Sequence, residues 1–387
     1  MLTRPTHDVV VIGAGVVGAA CAFYAARAGL SVAVVDRGPV AGGTTGAGEG
    51  NLLLSDKAPG PELELAQLSA VLWRELAEEL GPRFEYEPKG GLVVAAAPAG
   101  QQALREFAAT QRAVGVIAEE VAGEALREFE PHLAEGLAGG FHYPEDSQVQ
   151  PALAAAHLLR AATGAGAGLH LGERVTGIEL GPDGAVRAVR TERRTLAAGA
   201  VINAGGTWGG EIAAMAGVGL PVLPRRGFVL VTEPLPRVVR HKVYAADYVA
   251  DVASGSAALQ SSAVVEGTPS GTVLIGATRE RVGFDRTVST AALGRLARQA
   301  AALFPFLTDV KVLRAYRGFR PYLPDHLPAI GADPRVPGLV HACGHEGAGI
   351  GLAPATGLLI AEQLTGRRLT GAEPVDLAPF SPDRFTD

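Results

Sequence analysis

The stretch HDVVVIGAGVVGAACAFYAARAGLSVAVVD, residues 7–36, leaves little freedom in how this end of the chain folds. Val9 to Ile12 is a short β-branched apolar run, which suits a strand buried on both faces. Gly13, Gly15 and Gly18 follow at G-x-G-x-x-G spacing, a small-residue helix is expected to about Ala28, and a second apolar strand, Val32 to Val35, ends in Asp36. The pattern predicts a β-α-β unit that binds a dinucleotide. Gly13 makes the tight turn, Gly15 lets a pyrophosphate approach the backbone beside Ala14, and Gly18 lets helix and strand pack closely. Asp36 stands where a carboxylate accepts from a ribose hydroxyl.

Two further glycine-rich segments each follow an apolar strand pattern. One is AVINAGG, ending at Gly206; the other is GLVHACGHEGAGIG, ending at Gly351. Ligands of open α/β sheets bind beyond the carboxyl ends of the strands. Three such ends meeting in one place suit a cofactor held at several points, and FAD is longer than NAD. The N-terminal loop is then expected at the pyrophosphate and the C-terminal loop at the flavin end.

A length of 387 residues points to about two domains. A net charge of −6 with no Lys/Arg block argues against a nucleic-acid surface. Cys21 and Cys343 are the chain's two cysteines, and they form no C-x-x-C pair or Cys/His cluster, so no metal site is expected. Neither a cleavable leader nor a membrane span is read from the hydropathy, and the expected location is the cytoplasm.

The two architectures alternate along the chain. Helical patterns are read at about 61–80, 98–113, 121–130, 151–165, 290–304 and 353–364, whereas residues 226–290 read as an antiparallel meander. The expected fold class is α/β plus antiparallel β. A Rossmann-like FAD-binding domain, built from residues 1–87, 145–225 and 320–387, is interleaved with a mixed antiparallel-sheet substrate domain, residues 88–144 and 226–319.

The N-terminal fingerprint, GFRPYLPD followed by PAIG, and GHEGAGIGLAPATG together resemble the glycine oxidase and D-amino acid oxidase family of FAD-dependent amine oxidoreductases. The resemblance runs nearly the whole length. It is strongest to the β-subunit type found in D-hydroxyproline dehydrogenase, opine oxidase and hydrogen cyanide synthase. It implies non-covalent FAD, since no Cys lies near GFRPYLPD, where the covalent-flavin sarcosine oxidases carry one. Asp36 and Arg37 would then serve the adenosine end, and Thr44, Thr45 and Gly46 the pyrophosphate and ribityl chain. Val175 would serve the adenine, Gly205 the ribityl region, and Gly347, Gly349, Ile350 and Gly351 the flavin end.

Arg320 matches the arginine that anchors a substrate carboxylate, a role that a bidentate guanidinium suits. His345 and Tyr248 complete the expected catalytic set, whereas Tyr244, Trp73, Trp208 and Cys343 read as packing. Glycine oxidase-like members carry a second Arg in the C-terminal loop. Here that place is Gly347, which leaves room for a substrate bulkier than glycine. The expected activity is oxidation of the C–N bond of a D-amino acid, cyclic imino acid or opine, by a dehydrogenase subunit with a separate flavin or iron–sulfur partner. A stand-alone peroxide-forming oxidase, a flavin-binding assembly subunit and an NAD-linked dehydrogenase remain open on the residues alone.

Overall fold

The structure is a computed structural model and describes residues 7–247, 256–371 and 373–385. In chain order the main strands are β1 (His7–Ile12), β2 (Val32–Asp36), β3 (Gly91–Ala95), β4 (Glu119–Ala122), β5 (Gly139–Tyr143), β6 (Gly168–Leu171), β7 (Val175–Leu180) and β8 (Val186–Thr191). They continue as β9 (Thr195–Asn203), β10 (Leu223–Thr232), β11 (Lys242–Ala245), β12 (Gln260–Gly267), β13 (Val273–Arg279), β14 (Val312–Tyr322), β15 (Ala329–Ala332) and β16 (Leu339–Cys343). The long helices are α1 (Val16–Arg27), α2 (Pro61–Leu80), α3 (Pro98–Arg112), α4 (Pro151–Gly164), α5 (Thr290–Leu303) and α6 (Gly349–Thr365).

One sheet runs β15-β16-β9-β1-β2-β6, with the hairpin β7-β8 attached to β9. Its central pairings are parallel, and Ile12, Asn203 and His341 stand level across β1, β9 and β16. The three glycine segments therefore leave the sheet side by side at its carboxyl edge. Val9, Val10 and Val11 are fully buried, as the unbroken apolar run required. Burial of each such side chain is worth roughly 1.5–3 kcal/mol.

Helices α1 and α6 cover this sheet and touch through small residues. A Cβ built on Gly357 would lie 2.6 Å from the Ala20 carbonyl carbon. The last glycine of the C-terminal segment thus serves helix packing and not a ligand.

The second sheet runs β14-β10-β13-β12-β11-β3-β5-β4, and α5 packs on it through Leu296 and Ala300, both fully buried. It is mixed. β11 pairs parallel with β3, and β10 pairs with β13 and β14 instead of its chain neighbour β11. The simple meander expected for 226–290 is corrected in that respect, because strands distant in sequence complete the pairing. The expected domain boundaries at 226 and 320 fall inside β10 and β14.

The helix expected at 121–130 is replaced by the end of β4, a 3₁₀ turn at Gly123–Ala125 and one helical turn at Leu126–Phe129. Pairing of β4 with β5 overrides the local helical preference there. Helix α6 begins at Gly349, four residues before the expected 353, so the last glycines of the loop form a helix N-terminus. It ends at Gly366 in the left-handed conformation, φ +64°, as a C-terminal glycine stop requires.

Candidate active site

A continuous cleft lies between the two sheets. It runs from Asp36, Arg37, Arg174 and Val175, past Gly13, Gly15, Thr44 and Thr45, to Arg320, Glu49, Gly347 and Ile350. The N-termini of α1 and α6 both open onto it, and their unpaired N–H groups favour anionic groups there.

Backbone geometry at the N-terminal loop fits a dinucleotide. Gly13 has φ +120°, and a Cβ there would stand 2.2 Å from the Ala204 carbonyl oxygen. A Cβ on Gly18 would stand 2.0 Å from the Gly13 carbonyl oxygen, so helix and turn touch as the fingerprint requires. Thr45 Oγ1 accepts from Val16 N at 3.0 Å, fixing the second loop over the first turn of α1. Asp36 is oriented by two backbone donors, Ala14 N and Gly38 N, each at 2.7 Å.

Arg37 lies 3.9 Å above the Trp208 ring, and Trp208 stacks on Phe284 at 5.3 Å. This stack joins the two lobes beside the Asp36 end of the cleft. Sequence reasoning treated Trp208 as packing, and no local signal brings residues 37, 208 and 284 together.

At the other end the loops are tied to the end of β14, next to Arg320. Thr44 Oγ1 and Thr207 Oγ1 both donate to the Phe319 carbonyl, at 2.6 and 2.8 Å. Glu346 N donates to the Pro321 carbonyl at 2.8 Å. Arg320 is half-buried in the cleft wall and donates through Nη1 to the Thr278 carbonyl at 2.9 Å. A Cβ on Gly227 would lie 2.2 Å from that Nη1, so glycine at 227 makes the room the guanidinium occupies.

Arg225 sits opposite Arg320 in the β10–β14 register. It is turned away into an ion pair with Glu346, which His326 Nδ1 also approaches at 2.9 Å. Burial works to raise the Glu346 carboxyl, but the His326 hydrogen bond and the Arg225 charge outweigh it and hold the group below its ordinary range. Glu346 is thus a charged partner of Arg225.

His345 lines the cleft but is 4% exposed. Burial pushes it from 6.5 down to about 3, so it is neutral near pH 7. The Thr356 hydroxyl donates to the Leu352 carbonyl at 2.9 Å, which leaves its oxygen to accept from His345 Nε2 at 3.1 Å. That arrangement suits a fixed, neutral side chain better than a proton carrier.

Gly205, Gly349 and Ile350 also line the cleft, whereas Ala14, Gly46 and Gly351 stand behind its wall. The Gly351 carbonyl accepts from Trp73 Nε1 at 3.1 Å. Tyr248 lies outside the described residues. Tyr244 is fully buried, with its hydroxyl bonded to Ser55 Oγ, which also bonds the buried Asp146. Cys343 borders the cleft but is buried against Gly209, and burial raises its thiol to about 12; Tyr244 packs. Glu49, which sequence reasoning passed over, is a buried carboxylate in the same wall as Arg320. Its signal was an acid inside the otherwise uncharged glycine-rich run GTTGAGEGN.

Among the described residues no helix is long and apolar enough to cross a membrane, and no group of three His, Cys, Asp or Glu could hold a metal ion.

Comparison with known proteins matches residues 8–363 to the family described as DAO, FAD dependent oxidoreductase. The glycine oxidase of Geobacillus kaustophilus is 34% identical, over 97% of this chain and 96% of that protein. A crystal structure of glycine oxidase from Geobacillus kaustophilus aligns with a TM-score of 0.88 at 31% identity, covering 99% of this chain and 100% of the other. Hydrogen cyanide synthase subunit HcnC of Pseudomonas aeruginosa is 31% identical, over 98% of this chain and 96% of that subunit.

Proposed function

Because the chain belongs to the DAO family of FAD-dependent oxidoreductases, we propose that it oxidises the C–N bond of an amino or imino acid. The observation that carries this reading is Arg320, a guanidinium in the wall of a cleft that also presents two helix N-termini and the glycine loops. Asp36 and Arg37 would hold the adenosine end of FAD, and Gly15, Thr44 and Thr45 the pyrophosphate and ribityl chain. Gly205, Gly347, Gly349 and Ile350 would border the remainder. FAD, when bound, supplies the acceptor for the two electrons and proton that leave the substrate α-carbon as a hydride equivalent.

The chain's own residues bind and orient. Arg320 takes the substrate carboxylate with its two-pronged donor face. The clamps from Thr44, Thr207 and Glu346 onto residues 319–321 hold that face in place. Neutral His345, held by Thr356, forms part of the wall beside Arg320. The imine product leaves and hydrolyses in solvent.

Gly347 supports a substrate larger than glycine. A Cβ there would touch Arg320 Nε at an ordinary contact distance of 3.8 Å, so glycine at 347 leaves free the volume a side chain would take beside the guanidinium. D-amino acids, cyclic imino acids and opines fit that description. Anaerobic titration of the yellow protein with such a panel tests the reading. Bleaching by carboxylate-bearing substrates and not by the corresponding decarboxylated amines is expected. Failure of every panel member to bleach the flavin overturns it and leaves a flavin-binding assembly role.

The similarity to HcnC, a subunit by name, supports a subunit role; we take the chain to be a cytoplasmic dehydrogenase that passes electrons to a separate flavin or iron–sulfur protein. Slow turnover with oxygen and fast turnover with an artificial acceptor dye are expected. Stoichiometric hydrogen peroxide at full rate in air favours the stand-alone oxidase instead.

A further inference from the structure

Glu49 is 7% exposed, lines the cleft with Arg320, and has an oxygen, Oε1, with no hydrogen-bond partner. An ionised carboxylate buried without a hydrogen-bond partner is costly unless something charged comes to meet it. Its position is also fixed. The carbonyl of Gly48 accepts from the Tyr316 hydroxyl at 3.1 Å, and Gly50 N donates to Glu266 Oε2 at 3.2 Å. Both flanking residues are thus pinned to the second sheet. Across from them, β13 carries Gly276, where a Cβ would lie 2.3 Å from Glu49 Oε2. Any other residue at 276 would push the carboxylate aside.

We propose that Glu49 takes the ammonium proton of the zwitterionic substrate whose carboxylate is held by Arg320, leaving the neutral amine that oxidation requires. This rests on the amino- or imino-acid reading above. The step is a proton transfer: one N–H bond of the substrate breaks, one O–H bond forms on Glu49, and no electrons change hands. The nitrogen lone pair so released can then support departure of hydride from the α-carbon.

The charged groups around Glu49 come from four strands. Lys242 on β11, Glu266 on β12, Arg279 on β13 and Arg320 on β14 all act on it, and Tyr316 of β14 lies close by. Lys242 is fully buried and ion-paired to Glu266, so that pair is largely self-neutralising. Burial is the largest influence on Glu49 and raises its carboxyl to about 7, with Lys242 opposing. Near neutral pH the group can therefore both accept and return a proton. The other acids and bases at this end of the cleft are already committed. Glu346 is bound by Arg225 and His326, and His345 stays neutral.

The test uses the FAD-loaded full chain and its Glu49→Gln and Glu49→Asp variants. The first arm needs no turnover. Benzoate, an unreactive carboxylate, is titrated from pH 5.5 to 8.5 and followed by the visible spectrum. Wild-type affinity should fall about tenfold or more as Glu49 ionises beside the anion site, and the Gln variant should be flat over the same range. The second arm is the pH profile of kcat/KM for whichever acid bleaches the flavin. Wild type should show a rising limb near 7. In Glu49→Gln that limb should move up to the substrate's own ammonium pKa, and Glu49→Asp should restore part of it. An unmoved limb in Glu49→Gln, or benzoate binding that titrates identically in wild type and Gln variant, overturns the proposal. If no amino or imino acid bleaches the flavin, the functional reading fails by itself, and the benzoate arm still reports whether Glu49 titrates in the anion site.

Discussion

Replacing Arg320 with alanine should weaken substrate binding and leave the cofactor. The guanidinium is half-buried, at the end of a strand clamped by three hydrogen bonds from other loops, with other cations nearby. The nearest one across the sheet, Arg225, is 1% exposed and committed to Glu346 and to Gln260 Oε1 at 2.6 Å. A substrate carboxylate would be left buried without its partner, at a cost of roughly 2–5 kcal/mol. Because Arg320 retains some solvent contact, the lower half of that range applies. About 2–3 kcal/mol corresponds to a loss of about thirtyfold to more than a hundredfold in kcat/KM. Arg320→Lys keeps a charge but loses the fork and should recover only part. The assay is anaerobic stopped-flow reduction against substrate concentration, with FAD content measured on the same sample. Wild-type KM and kcat/KM in Arg320→Ala, at full FAD occupancy, would remove this residue from the substrate site.

Three further outcomes follow from the cleft and its buried groups. FAD should leave the protein on acid precipitation and appear in the supernatant, since the chain's cysteines are buried at positions 21 and 343; flavin retained in the pellet would refute this. Gly347→Arg should bring a second guanidinium beside Arg320, improve kcat/KM for glycine several-fold and exclude bulkier acids; an unchanged substrate order would show that residue 347 does not border the substrate. His345 is lowered from 6.5 to about 3 by burial. The unfolded chain therefore binds its proton first, and the stability this neutral side chain contributes is present above about pH 6.5 and declines as pH falls toward 3. His345→Gln should flatten the acid limb of a Tm–pH curve between pH 6 and 4, and an unchanged limb contradicts the assignment.

The parts legible from sequence were those whose signal is local. Residues 7–36 carry strand, turn, helix and acid within one window, and the predicted FAD-binding α/β fold with a second sheet is the fold observed. The glycine stop at Gly366 is equally local. What escaped depends on contacts between distant residues. The run 121–130 is amphipathic enough to suggest a helix, but its start is claimed by pairing with Gly139–Tyr143. The onset of α6 was read four residues late because Gly349 and Gly351 argue against helix, whereas Pro354 suits a first turn. The helix nevertheless carries Pro354 in its interior, where the Ile350 carbonyl loses its usual i+4 donor. Trp208 gains its place only when Arg37 and Phe284 arrive on either side of it. Arg225 and Arg320, 95 positions apart in the chain, meet through strand register, and the ion pair with Glu346 draws Arg225 aside while Arg320 faces the cleft.

The central claim is that one cleft holds FAD along the glycine loops and presents Arg320 to a substrate carboxylate. A crystal structure of the FAD-loaded protein with benzoate tests it directly. The account predicts the pyrophosphate against Gly15 and the first turn of α1, with the flavin end at Gly349 and Ile350. Both benzoate oxygens should lie about 2.7–2.9 Å from the Arg320 guanidinium. FAD bound elsewhere, or benzoate held by other residues with Arg320 turned away, would contradict it.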